Sequence, residues 1–194
     1  MIASAAVTEI LALVKRPDKA AMALQQINRA ISLYSLKVEW ARDLVETTLT
    51  FDAESYTQEI DISTVEARFR KVKYINPIDT TRDIRNVDVT QILGSNGQAQ
   101  RDVFYIAGTT ANIVLSDYAE SANIGLYTYP AVLAEADSHW MLDVVPYMII
   151  EKAVSKIFQS IGDDASFRFY EASATELFLA ARKDLASSVS ESAS

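Results

Sequence analysis

VPYMIIEKAVSKIFQSIGDDASFRFYEASATELFLAARKDLAS, residues 145–187, decides the fold. In its second half Phe167, Tyr170, Ala174, Leu177, Phe178, Ala181 and Leu185 recur at the three- and four-residue spacing of a single helical face. In its first half Val145, Ile149, Ala153, Ile157 and Ile161 stand four apart. Tyr147, Met148, Ile150, Val154 and Phe158 widen that surface, which predicts a helix buried on more than one side. Pro146 suits a first helical position, where no backbone donor is lost, and Asp143 sits at the positive end of the arm. Gly162 supplies the left-handed residue that stops the first arm, and Asp163 or Asp164 caps the second. The stretch reads as an antiparallel helical hairpin whose amphipathic arm needs a surface to lie on.

The other end of the chain supplies one. Val7, Ile10, Leu11 and Val14 make a short amphipathic helix closed by Lys15 and Arg16. Pro17 opens a second helix, with Leu24, Ile27, Ile31 and Tyr34 as its stripe, running to about residue 36. Together with the hairpin these predict a helical bundle built from both chain ends. Trp40, at the helix-to-strand junction, is expected to seal the bundle against the β-module, not to bind a ligand.

Between the two ends the hydrophobic period falls to two. Val45, Thr47, Leu49 and Phe51 alternate with Glu46, Thr48, Thr50 and Asp52. After Ala53-Glu54-Ser55, Tyr56, Ile60 and Ile62 alternate with Thr57, Glu59 and Asp61, so the two runs read as an antiparallel hairpin. A third strand spans residues 66–75 and ends before Pro77; others fall at 103–107, 113–115 and 123–129, the first two of these joined by a Gly108-Thr109-Thr110 turn. Residues 87–93 suggest one or two helical turns, and Gly94-Ser95-Asn96-Gly97-Gln98 reads as the tip of a protruding loop. The serine-rich end, residues 187–194, has too little apolar surface to pack. The fold class is therefore α+β, an α-helical bundle with an inserted antiparallel β-module. Residues 1–43 form the N-terminal helices, 44–136 the module, 137–187 the C-terminal hairpin and 188–194 a tail.

A chain of 194 residues, 49% hydrophobic, is long enough for one ordinary domain with a real core. The absence of cysteine excludes disulfides and thiolate metal sites. Residues 1–14 lack a basic leader and carry Glu9, unlike a signal peptide, and no apolar run approaches the roughly 18 residues of a membrane span, so a soluble product is expected. The net charge of −8 is unevenly distributed. Residues 102–151 contain no Lys or Arg but hold Asp102, Asp117, Glu120, Glu135, Asp137, Asp143 and Glu151. Such a segment is either a solvated acidic face or a surface that repels nucleic acid.

Catalytic chemistry has little to stand on. His139, the one histidine, lies near Glu135, Asp137 and Asp143, a pattern better explained by a helix start than by metal or acid-base work. Asp163-Asp164 follows Gly162 and reads as a cap, and there is no glycine-rich phosphate loop or nucleophile elbow. No catalytic, cofactor or metal residues are assigned. Arg68, Arg70, Lys71 and Lys73 form the one dense basic run. Its first reading is a protected edge strand, its second a subunit or nucleic-acid contact.

The order of these segments resembles the head-to-tail adaptor (head completion, or tail tubular) proteins of tailed bacteriophages. The resemblance is carried by Ile27-Asn28-Arg29-Ala30-Ile31 leading to Trp40, the strands of residues 44–62, Asp102-Val103-Phe104-Tyr105-Ile106-Ala107-Gly108 followed by Asn112-Ile113-Val114-Leu115, and Trp140-Met141-Leu142-Asp143-Val144-Val145-Pro146 leading to Gly162-Asp163-Asp164. It covers most of the chain and rests on element order, not on a signature motif. It implies a non-enzymatic virion protein, assembled in the host cytoplasm as a ring of about twelve copies beneath the portal. Double-stranded DNA would pass through the centre without specific binding, and the tail nozzle or tail-tube protein would lie below.

Carried onto this sequence, the resemblance makes Leu185, Ala186, Val189, Ser190 and Glu191 a portal-docking arm. Gly94, Ser95, Asn96, Gly97 and Gln98 become a tail-side or inter-subunit loop. Asp117, Glu120, Glu135 and Asp137 would line the channel, and Arg68, Arg70, Lys71 and Lys73 would form an inter-subunit strand. The alternatives are a neck or tail-completion protein that caps the tail tube and, from another class, a small-molecule-binding domain, for which no convergent polar set is visible.

Overall fold

The computed structural model describes residues 1–78, 84–91 and 100–187. Helices α1 (Ala3–Val14) and α2 (Ala20–Lys37) lead into β1 (Leu44–Thr50), β2 (Thr57–Asp61), the one-turn helix α3 (Ile62–Val65), β3 (Phe69–Pro77), the short β4 (Arg85–Asn86), β5 (Val103–Ala107), β6 (Thr110–Val114) and β7 (Ser121–Thr128). Helices α4 (Trp140–Val144), α5 (Pro146–Ile161) and α6 (Asp164–Ser187) follow, so the class is α+β. The chain divides into a helical unit, Met1–Arg42 with Pro130–Ser194, and a β unit, Asp43–Tyr129.

In the helical unit the hairpin forms as its punctuation requires. Pro146 occupies the first turn of α5, and Gly162, at φ 78°, ends it in the left-handed region where a side chain is strained. Asp163 then accepts hydrogen bonds from the Ser166 amide (3.0 Å) and hydroxyl (2.7 Å), capping α6. Helix α5 is buried along most of its length, with Met148, Ile149, Ile150, Ala153, Val154 and Ile157 in the core; each large side chain contributes roughly 1.5–3 kcal/mol by leaving water. The buried seam of α1 is Ala3, Ala6, Ile10 and Val14, with Val7 and Leu11 at its margin. Small residues at this seam, at Ala23 and Ala30 of α2 and at Ala174 and Ala181 of α6 let backbones approach. Pro17 begins a separate 3-10 turn, Pro17–Lys19, that runs into α2. Trp40 is buried within this unit. Its indole N–H donates to the Tyr34 carbonyl (3.0 Å), and its ring meets Trp140 and Phe178 edge-on.

Helix α1 has no side-chain cap. Its first amides instead donate to a segment far along the chain, Ala3 N–H to the Asp137 carbonyl (2.8 Å) and Ser4 N–H to that of Glu135 (2.9 Å). That segment is fixed from its other side by Asn28 of α2, whose amide exchanges two hydrogen bonds with the Leu133 backbone, at 2.7 and 3.1 Å.

In the β unit a three-stranded sheet, β1-β7-β3, and a four-stranded sheet, β2-β6-β5-β4, share one core that includes Leu49, Phe51, Val72, Phe104, Ile113, Ile124 and Leu126. The expected hairpin of β1 with β2 does not form. β1 pairs with β7, from Leu44↔Tyr127 to Thr50↔Ser121, while β2 pairs with β6 in the other sheet. The connection between them is a corner built on Gln58, whose amide accepts from Asp52 N–H and donates to the Asp52 and Ser55 carbonyls, each at 2.8 Å. Alternation of side chains is the same whichever partner a strand takes, so the pattern did not reveal the switch of sheets. Val45 and Tyr56, on the apolar side of the two alternating runs, are 39% and 44% exposed. Ile62 leaves the strand to start α3, where Asp61 caps the turn through Ser63 N–H (3.0 Å), and β3 consequently starts at Phe69 and reaches Pro77 on its edge. The β5–β6 hairpin turns at Gly108-Thr109, between Ala107 and its partner Thr110.

Candidate functional site

The basic run lies on β3, an edge strand, and its geometry comes from two breaks in pairing. The register shifts between Phe69 and Lys71 and again between Val72 and Tyr74, so Arg70 and Lys73 are the unpaired residues of two bulges. Both cations sit over the ring of Tyr127, at 5.7 and 6.0 Å from its centre. Arg68 reaches Glu66 (3.6 Å) and the Tyr129 carbonyl (3.4 Å). Strict alternation of the four side chains across two faces, the expectation from spacing, is thereby broken. Beside them the ring of Tyr74 lies on Gly125, where a Cβ would meet ring carbons at 2.5–2.9 Å, and its hydroxyl donates to Glu46.

The carboxylates of the basic-free segment fall in both units. Asp117 and Glu120 are exposed on the β6–β7 connection of the β unit, beside the exposed, stacked rings of Tyr56 and Tyr118 (4.0 Å). Asp102 accepts from the Ser116 amide and hydroxyl, at 2.9 and 2.8 Å. Glu135 and Asp137 belong to the helical unit, where Asp137 accepts from Ala134 N–H (2.7 Å). Asp143 binds the Met1 ammonium and the Ser138 hydroxyl, which hold its carboxyl below the usual carboxylate range. His139 is the N-cap of α4: its Nδ1 accepts the Met141 amide (3.2 Å). Among the described residues no group of three His, Cys, Asp or Glu side chains is placed to hold a metal ion.

Compared with protein-family models and with curated proteins, the chain matches none. Among the described residues no helix is long and apolar enough to cross a membrane.

Of the expected docking arm, Leu185 packs half-buried against the helical core and Ala186 lies in the last turn of α6. Val189, Ser190 and Glu191 lie outside the described residues, as do Gly94, Ser95, Asn96, Gly97 and Gln98.

Two features of the helical unit were not visible in the sequence. One is an enclosed ion pair between α5 and α6. The Lys152 ammonium contacts Glu171, and the Ser155 hydroxyl donates to the same carboxylate at 2.8 Å. Burial pushes the Glu171 carboxyl up, but the hydrogen bonds from Lys152 and Ser155 outweigh it and hold the group below its ordinary range. The other is a groove of 290 Å³ between α2 and α5, lined by Gln26, Arg29, Ala30, Leu33, Lys152 and Lys156. Among the described residues its lining is aliphatic and cationic, with one amide from Gln26 and no carboxylate. The groove residues come from opposite halves of the sequence, and only packing brings them together.

Proposed function

We propose that this chain is a structural virion protein, a head-to-tail adaptor that forms a ring under the portal of a tailed bacteriophage and links it to the tail. The observation that carries the reading is the order of elements: two N-terminal helices, an antiparallel β unit inserted whole, then a helical hairpin that completes the first helices' core. In this reading the segment that follows α6 docks on the portal, and the exposed Asp117 and Glu120 supply charge that keeps passing DNA from sticking. The basic bulges of β3 keep that edge from unwanted strand pairing, leaving the cations as side-chain contacts for a neighbouring subunit.

Native mass spectrometry of the full chain mixed with the portal ring encoded by the same genome tests the proposal. The expected product is a portal ring carrying about twelve copies, lost when the chain is truncated at Ala186. Binding to tail-tube protein with none to portal would replace the adaptor by a tail-completion role.

A further inference from the structure

We propose that neighbouring copies join through the segment at residues 130–138 of one and the α2–α5 groove of the next, with Glu135 meeting Arg29 and Val132 entering between them. The inference rests on the ring reading and supplies one subunit contact within it.

Val132 is the most exposed large apolar side chain described, at 83%, yet it sits next to Leu133, which is buried in the helical core at 6%. Its protrusion is therefore built. Asn28 holds the Leu133 backbone on both its amide and carbonyl, the Ala134 amide is tied to Asp137, and the carbonyls of Glu135 and Asp137 cap α1. A segment clamped at so many points presents Val132 and the exposed Glu135 carboxylate with little ordering left to lose on association. Neither the Glu135 carboxylate nor the exposed Arg29 guanidinium has a hydrogen-bond or ion-pair partner among the described residues.

The groove has the complementary chemistry. Ala30 and Leu33 offer aliphatic surface for a branched side chain, while Arg29 and Lys156 stand at the margin for a carboxylate. Lys152 is already neutralised by Glu171 and Lys156 is engaged by the Gln159 amide and the Phe167 ring, whereas Arg29 has no ion-pair partner among the described residues. An apolar side chain followed three residues later by a carboxylate suits such a site better than a phosphodiester backbone does.

Placement favours a second copy as the occupant. At 3.6 residues per turn, Asn28 points about 150° around α2 from the mean direction of Gln26, Arg29, Ala30 and Leu33. Knob and groove thus flank the same helix on different sides, so one molecule cannot fill its own groove with this segment, and the contact between copies is heterologous. Contacts of that kind propagate around a closed ring.

The chain has no cysteine, so introduced thiols report the contact directly. Full-length Val132→Cys and Gln26→Cys proteins are mixed with the portal ring and oxidised, and the same sample is weighed by native mass spectrometry. The expected result is a disulfide-linked dimer in the mixture and in neither variant alone. In parallel, Arg29→Glu and Glu135→Arg each weaken self-association about tenfold, and the two changes in one chain restore it to within about twofold of the parent. A complete ring without the mixed dimer, or a double variant no better than the singles, overturns this contact and leaves the adaptor reading standing. Absence of both ring and dimer overturns the two together.

Discussion

Replacing Glu171 by Gln leaves the Lys152 ammonium enclosed without its counter-charge. The Lys152 side chain is 11% exposed and that of Glu171 is 31% exposed. Removing one member of a fully buried pair costs about 3–5 kcal/mol, and an exposed pair is worth about 0–1 kcal/mol. With one partner enclosed and the other at the margin, the expected loss is about 2 kcal/mol, which for a chain of this size lowers Tm by about 4–8 °C. The pH dependence has a definite sign. The folded-state pKa of Glu171 is depressed below the ordinary 4.5, so its contribution is complete above that value and disappears as pH falls through the folded-state pKa. Calorimetry of parent and Glu171→Gln from neutral pH downward should show a gap in Tm that closes in acid. The double change Lys152→Met with Glu171→Leu should keep most of the stability, because no charge is then stranded. A Glu171→Gln protein melting within about 1 °C of the parent at neutral pH, or a gap constant into acid, would refute the reasoning.

Two further substitutions probe the segments that hold the exposed surfaces. Gly125→Ala drives a Cβ into the Tyr74 ring, at 2.5 Å from its Cε1, and should cost about 1–3 kcal/mol in urea unfolding; Tyr74→Ser in the same chain should recover most of it. Asn28→Ala removes both links to the Leu133 backbone and should cost about 2 kcal/mol, with faster amide exchange at Leu133; unchanged protection there would show that the segment is held by other means.

The parts of the fold that could be read in advance are those whose signals are local. Pro146, Gly162 and Asp163 each act within one turn of where they stand, so the limits of the hairpin followed from the sequence alone. Strand partners are a different matter, because the alternation that makes β1 and β2 strands says nothing about which strand lies beside them. The sheet switch hinges on the Gln58 side chain, whose bonds to the Asp52 and Ser55 backbone exist only once the corner is made. The bulges that bring Arg70 and Lys73 onto one ring were equally hidden, since spacing predicts alternation and pairing decides where it breaks. Arg29 and Lys156 line a single groove although each reads as an ordinary surface cation. Ala3 and Ala6 are fully buried, yet alanine gives only a weak hydrophobic signal in a sequence although close helix approach depends on it.

The pairing of Leu44 with Tyr127 places the beginning and end of the β unit side by side. The chain therefore leaves the helical unit at Arg42 and comes back at Pro130 through two strands that are hydrogen-bonded neighbours. Once β1 and β7 have zipped, α1 and α2 are tethered close to the hairpin they must pack with, and a search across a long loop becomes a search at high local concentration. The inserted unit works as a clasp: while β1 and β7 are paired, the long connection between α2 and the C-terminal helices behaves as a short one, and closing the helical core costs less chain entropy.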